Sequence, residues 1–118
     1  MTHLDQIALH GTRDANFSTE GKPKNDIVCA DGFNVSVIAG YGAYCQPRPD
    51  RGQTATDRNY SGPYFEVEVG FPTERPEPWG VWENYQDGPG DPLQSVYGYV
   101  PISVVKALIE AHGGEVEQ

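Results

Sequence analysis

Residues 95–114 (SVYGYVPISVVKALIEAHGG) constrain the fold more than any other stretch of the chain, because they read as a short strand, a proline-initiated helix and a double-glycine stop. Ile102, Val105, Leu108 and Ile109, with His112 one turn on, fall within one arc at about 100° per residue. Ser103, Lys106 and Glu110 line the opposite side. Pro101 brings a preset φ to the first turn, and Gly113 or Gly114 suits the left-handed conformation that ends a helix. Val100 has no side-chain oxygen to serve as an N-cap, so packing must hold what capping does not. A helix of about 18 Å is marginal alone in water. This one needs a sheet to lie on.

The sheet is written most clearly in residues 26–39 (DIVCADGFNVSVIA). Asp31-Gly32 is a two-residue turn signal, and Phe33, Val35, Val37 and Ala39 alternate with Asn34, Ser36 and Ile38, which predicts a hairpin with one buried face and Cys29 opposite Asn34. Residues 64–71 (YFEVEVGF) alternate strictly, with Phe65, Val67, Val69 and Phe71 on one side and Glu66 and Glu68 on a face open to water or a basic partner. Looser alternation of Leu4, Ile7 and Leu9 predicts a first strand over 2–10. Residues 79–85 (WGVWENY) read as a further strand. Between these lie a polar connection over 11–25, in which Phe17 drops a ring onto the core, a proline-rich extended run over 72–78, and a loop over 86–92. Residues 40–63 form a long irregular loop, a feature that is usually functional or mobile. The expected architecture is α+β: a single domain over 1–118, with a small antiparallel sheet of four to five strands packed by one C-terminal helix.

Charge is unevenly placed. The net charge is −9, yet residues 1–65 hold seven acids and six bases, whereas residues 66–118 hold ten acids and only Arg75 and Lys106 as bases. That second half is unsuited to binding nucleic acid or an anionic membrane, which requires Lys and Arg. No apolar run reaches the length of a membrane span and the first ten residues lack a secretion signal, so a cytoplasmic location is expected. In that setting Cys29 and Cys45 read as free thiols, and the glycosylation tripeptides at Asn16, Asn34 and Asn59 as coincidences.

Motifs that carry chemistry are weak. Gly40-Tyr41-Gly42 follows a strand, but Cys45 occupies the third glycine position and Pro47 and Pro49 stand where a helix should begin, which argues against a dinucleotide loop. Cys29, Cys45, His3, His10 and His112 show no metal-ligand spacing, and no metal or cofactor is expected. No catalytic residue is assigned, since neither cysteine has a neighbouring histidine in sequence and no serine sits in a nucleophile elbow. Glu66 and Glu68 could form a carboxylate pair, against the plainer reading of a solvated strand face. Arg48, Arg51 and Arg58 could hold a phosphate or an acidic segment, or could simply solubilise a loop that also carries Asp50 and Asp57. Trp79, Trp82 and Tyr85 are the stronger group, because so many large rings are hard to bury together. With the acids Glu74, Glu77, Glu83 and Asp87 around them they suggest an interaction surface, the competing reading being core packing.

The phrases ADGFNVSVIAGYGAYCQPR, YFEVEVGFP and YGYVPISVVKALIEAHGG resemble small accessory proteins encoded by phages of actinobacteria. The resemblance implies a β hairpin followed by a tyrosine-valine-proline step into a terminal helix, and a place in the host-cell cytoplasm with a host or phage-defence protein as partner. It carries no catalytic set. The expected function is therefore non-enzymatic protein–protein interaction, with homo-oligomerisation open. One alternative is an acidic nucleic-acid mimic that inhibits a DNA-binding, restriction or CRISPR protein. The other is small-ligand binding at the Arg-rich loop.

Overall fold

The computed structural model describes residues 1–50 and 56–116. The protein is an α+β fold built on one four-stranded antiparallel sheet, in the order β1 (Asp26–Val28), β2 (Asn34–Ile38), β3 (Glu66–Gly70) and β4 (Val96–Pro101). Helix α1 (His3–His10) precedes the sheet, α2 (Trp79–Trp82) and a 3-10 turn (Pro92–Gln94) lie between β3 and β4, and α3 (Ile102–Ala111) follows directly on β4.

One face of the sheet is apolar because the alternation in β2 and β3 is in phase. Val35 pairs with Ile27, Val37 with Val69 and Val67 with Val100, and all six are completely buried. Three helices, not one, contribute to the core on these residues: Leu4 and Ile7 from α1, Trp82 from α2, and Val105, Leu108 and Ile109 from α3. Ser103, Lys106 and Glu110 face solvent, as the helical arc requires. Pro101 is the N-cap of α3 and makes no side-chain cap bond, so this helix is held by its buried face.

Residues 3–10 form a helix where loose alternation predicts a strand. Leu4 and Ile7 are three apart, which puts them on one helical face, and Leu9, the residue that completes the alternation, is 39% exposed. The local signal is the capping box of Thr2 and Asp5: Asp5 N–H donates to Thr2 Oγ1 (3.1 Å) and Thr2 N–H donates to Asp5 Oδ2 (3.0 Å). The carboxylate of Glu115 accepts from the next two N–H groups, of His3 (2.7 Å) and Leu4 (3.0 Å), joining the two ends of the chain at the positive end of α1. Thr2→Ala is expected to cost about 1 kcal/mol, measured by chemical denaturation at neutral pH. The bond from the Thr2 N–H is the main cause holding the Asp5 carboxyl below its ordinary value. A lowered folded pKa means that Asp5 contributes fully above the ordinary carboxyl range and loses that contribution as the pH falls through the lowered value.

Three further expectations are corrected by the packing. The hairpin register is one residue off the Cys29–Asn34 pairing: Val28 faces Asn34, and Cys29 N–H donates to Phe33 O (2.8 Å). The cause is Gly32, whose φ of +93° closes a three-residue loop over 30–32 in place of a two-residue turn. Phe65 and Phe71 are both 56% exposed, because β3 ends inside them and Tyr64 takes the inner position in place of Phe65. Phe17 is likewise exposed, its ring edge-on to Tyr41 rather than in the core.

The segment 79–85 forms α2 and a following turn rather than a strand. Glu77 Oε1 accepts from Trp79 N–H (3.1 Å), and Trp82 N–H bonds back to Pro78 O (3.2 Å), so the proline-rich run delivers the chain into a helical turn. Among the described residues of 40–63 there is no named strand or helix, only isolated bridges such as Gln46 to Glu66 and Pro49 to Thr56. No helix among the described residues is long and apolar enough to cross a membrane.

Candidate functional site

The second face of the sheet is where the sequence expects solvent, and part of it is covered. Residues 44–46 cross beside β3 and β4: Tyr44 N–H donates to Glu68 Oε1 (2.9 Å), Gln46 N–H donates to Glu66 O (3.0 Å), and Tyr99 N–H donates to Tyr44 O (3.0 Å). Glu68 is thus a backbone tether, and Glu66 is half-buried, with desolvation pushing its carboxyl pKa up. The pair is part of the scaffold.

This crossing is possible because β4 bulges. Val67 pairs with Val100 but Val69 pairs with Tyr97, so Gly98 and Tyr99 oppose one residue of β3. A side chain at Gly98 would meet the Tyr44 Cβ at 3.2 Å, tighter than ordinary packing. Tyr99 adopts φ +55°, which for a non-glycine residue costs roughly 1–2 kcal/mol. Its hydroxyl accepts from Arg48 Nη1 (2.8 Å), and its ring stands 5.8 Å from that of Tyr44. Arg48 in turn lies over the Tyr44 ring at 5.2 Å. The strained bulge therefore aims an aromatic ring outward and fixes it.

The opposite wall comes from the turn after α2. Gly98 N–H donates to Tyr85 O (3.0 Å) and Asp87 N–H to Val96 O (2.8 Å), which lays residues 85–87 along β4. The result is a groove of about 350 Å³ lined by Tyr44, Asn84, Tyr85, Gln86, Asp87, Gly98 and Tyr99. Its three tyrosines are half-buried and Asp87 is exposed at the rim. Side-chain amides of Asn84 and Gln86 bond locally, to Gly80 O and to Ser95 Oγ, and hold the wall in shape.

The residues singled out in the sequence are divided by the structure. Trp82 is 1% exposed and belongs to the core, its ring edge-on to Tyr97 at 5.6 Å and Tyr85 at 6.3 Å, so it is not a surface anchor. Trp79, three residues earlier and so on the same face of α2, is half-buried, edge-on to Tyr97 at 6.3 Å with Arg75 over its ring at 5.5 Å. Tyr85 and Asp87 line the groove. Glu74, Glu77 and Glu83 are exposed, and Glu77 is bound to Arg75 (2.8 Å), whose hydrogen bond is the first cause lowering its pKa. Arg48 and Arg58 are each spread over a tyrosine, Tyr44 and Tyr41 respectively, while Arg51 lies outside the described residues. A cavity of about 190 Å³ beside Arg48 is lined also by Phe17, Tyr41 and Asp50.

Tyr44 and Tyr99 are site residues that sequence reasoning missed. The usable signal was Tyr97-Gly98-Tyr99, a glycine between two rings within a strand, which marks a bulge or a close approach of backbone. Cys29 and Cys45 are buried and form no disulfide, and desolvation is the main cause raising both thiol pKa values. His112 is half-buried at the end of α3 and stacks on Phe33 with centroids 3.9 Å apart. No family model, curated protein or solved structure matches this chain.

Proposed function

We propose that the protein works by binding another protein in the tyrosine groove, without catalysing a reaction. The observation that carries this reading is the convergence of Tyr44, Tyr85 and Tyr99 at one concave surface, on segments tied together by main-chain hydrogen bonds, with Arg48 bonded to the Tyr99 hydroxyl and lying over the Tyr44 ring before any partner arrives. Tyrosine offers large contact area and a polar tip, and rings already ordered lose little entropy on binding. The rim is acidic through Asp87, and Glu83, at the start of the turn after α2, is exposed as well. A partner segment that places Lys or Arg against that rim, and its aliphatic stem against the rings, matches both features. The sequence resemblance supports a host or phage-defence protein as the source of that segment.

The test is affinity capture from the native host with the wild-type protein, followed by binding measurements on any partner recovered. Tyr85→Ala and Asp87→Lys are each expected to weaken binding at least tenfold, and raised salt to weaken it further. Phe65→Ala, at the far end of β3, is expected to change it little. A partner whose affinity ignores both groove substitutions, or the recovery of none, would overturn the reading.

A further inference from the structure

We propose that Asp31, Glu74 and His112 form a binding site for a divalent transition cation. The three residues come from the hairpin loop, the run after β3 and the end of α3. One ligand atom from each lies within 4.8 Å of the others. Their spacing in the chain, 31, 74 and 112, gives no motif, and only the fold assembles them.

The donors are posed by contacts outside the cluster. The imidazole of His112 lies flat on Phe33, with centroids 3.9 Å apart and planes 6° from parallel, which fixes the direction of Nδ1. Phe33 N–H donates to Asp31 Oδ1 (2.9 Å), leaving Oδ2 turned to His112 Nδ1 at 2.7 Å. Main-chain bonds from Ala30 N–H to Gly114 O (2.9 Å) and Asp31 N–H to His112 O (3.3 Å) lock the hairpin loop to the helix end. Thr73, next to Glu74, exchanges two bonds with Asn34, through its N–H to Asn34 O (3.0 Å) and through its Oγ1 from Asn34 N–H (3.0 Å). All three segments are thus joined through the hairpin by main-chain and side-chain hydrogen bonds before any metal enters.

The donor set selects the ion. One imidazole nitrogen and two carboxylate oxygens suit zinc, manganese or cobalt, whereas magnesium and calcium favour oxygen alone. Donors bound at about 2.1 Å stand roughly 3.4 Å apart in a tetrahedron, so the cation parts His112 from Asp31 by under an ångström and draws in Glu74. Glu74 is exposed and has the freedom to move. Asp31 is exposed too, so water completes the coordination. A bound cation would pin three segments that are otherwise joined by a few hydrogen bonds.

Two measurements on the full chain, stripped with chelator, decide the matter. Substoichiometric MnCl2 is expected to broaden the backbone amide resonances of residues 30–33, 73–75 and 110–114 ahead of all others. Titration with ZnCl2 is expected to give one site and a raised Tm, with Kd at least tenfold weaker in Glu74→Gln and in Asp31→Asn and unchanged in His10→Gln. Glu74 is exposed, so Glu74→Gln tests the site without disturbing the fold. Broadening centred on His3 or His10, or an unchanged zinc Kd in Glu74→Gln, would overturn the proposal.

Discussion

Replacing Trp82 with alanine is expected to lower the free energy of unfolding by about 3–5 kcal/mol, the range for truncating a buried aromatic residue to alanine. Its indole is 1% exposed and sits edge-on to Tyr97 and Tyr85, so truncation opens a void beneath both. Tyr97 is itself fully buried, its hydroxyl donating to Pro92 O (2.6 Å), and burial pushes its pKa up to about 12. Domains of this kind have total stabilities of about 5–15 kcal/mol, so the loss removes a large share and lowers Tm by roughly 12–20 °C. Denaturation followed by circular dichroism measures it directly. Trp82→Phe keeps a ring edge against Tyr97 and is expected to lose less than half as much. A loss below about 1 kcal/mol for Trp82→Ala would mean that α2 does not close this core.

Gly62→Ala is expected to be the next most damaging single substitution. Gly62 has φ +110°, and an added Cβ would fall inside the contact distance of the Leu9 carbonyl oxygen, at the last turn of α1. A backbone atom has no rotamer to escape through. The methyl group can be admitted only by moving residues 60–64 away from α1, which breaks the bond from Tyr64 N–H to Ala8 O (2.6 Å) and loosens the packing of Ile7. Backbone strain of about 1–3 kcal/mol and overpacking of about 1–3 kcal/mol together give roughly 2–5 kcal/mol. Gly21→Ala is the control, since Gly21 also has positive φ (+74°) but a Cβ there meets nothing within 4 Å. Its cost should be conformational only, about 1 kcal/mol. Equal losses at the two positions would show that the close approach of α1 to residues 62–64 contributes nothing.

What was legible in the sequence follows one rule: periodic signals were read correctly within an element and failed at its ends, as Phe65 and Phe71 did on either side of β3, and short or composite signals were not read. Val35, Val37, Val67 and Val69 alternate over whole strands and are all buried. The face of α3 spans three turns, and Val105, Leu108 and Ile109 turn inward as expected. Residues 2–10 are too short for their apolar spacing to separate period 2 from period 3.6, and the capping box that decides the matter is a local hydrogen-bond pattern, not a periodicity. Residues 79–85 have the same weakness. Three-residue spacing of the two tryptophans is compatible with a helical turn, and only the bonds of Glu77 and Pro78 show that the turn forms.

The candidate sites were less legible than the fold, because each is assembled from distant segments. The tyrosine groove needs Tyr44 from the long loop, Tyr85 from the turn after α2 and Tyr99 from a bulge in β4. The cation site needs the hairpin loop, the run after β3 and the end of α3. By itself the sequence determined the apolar face of the sheet, the last helix with both its ends, and the charge asymmetry, since these depend on neighbours in the chain. Tertiary structure alone decided which ring went into the core and which to the surface, and which carboxylates met His112. Those outcomes depend on strand register and on the space left when three helices close over four strands, which no local stretch encodes; Tyr97-Gly98-Tyr99 marks the bulge in β4 locally, but not the Tyr44 segment that crosses it.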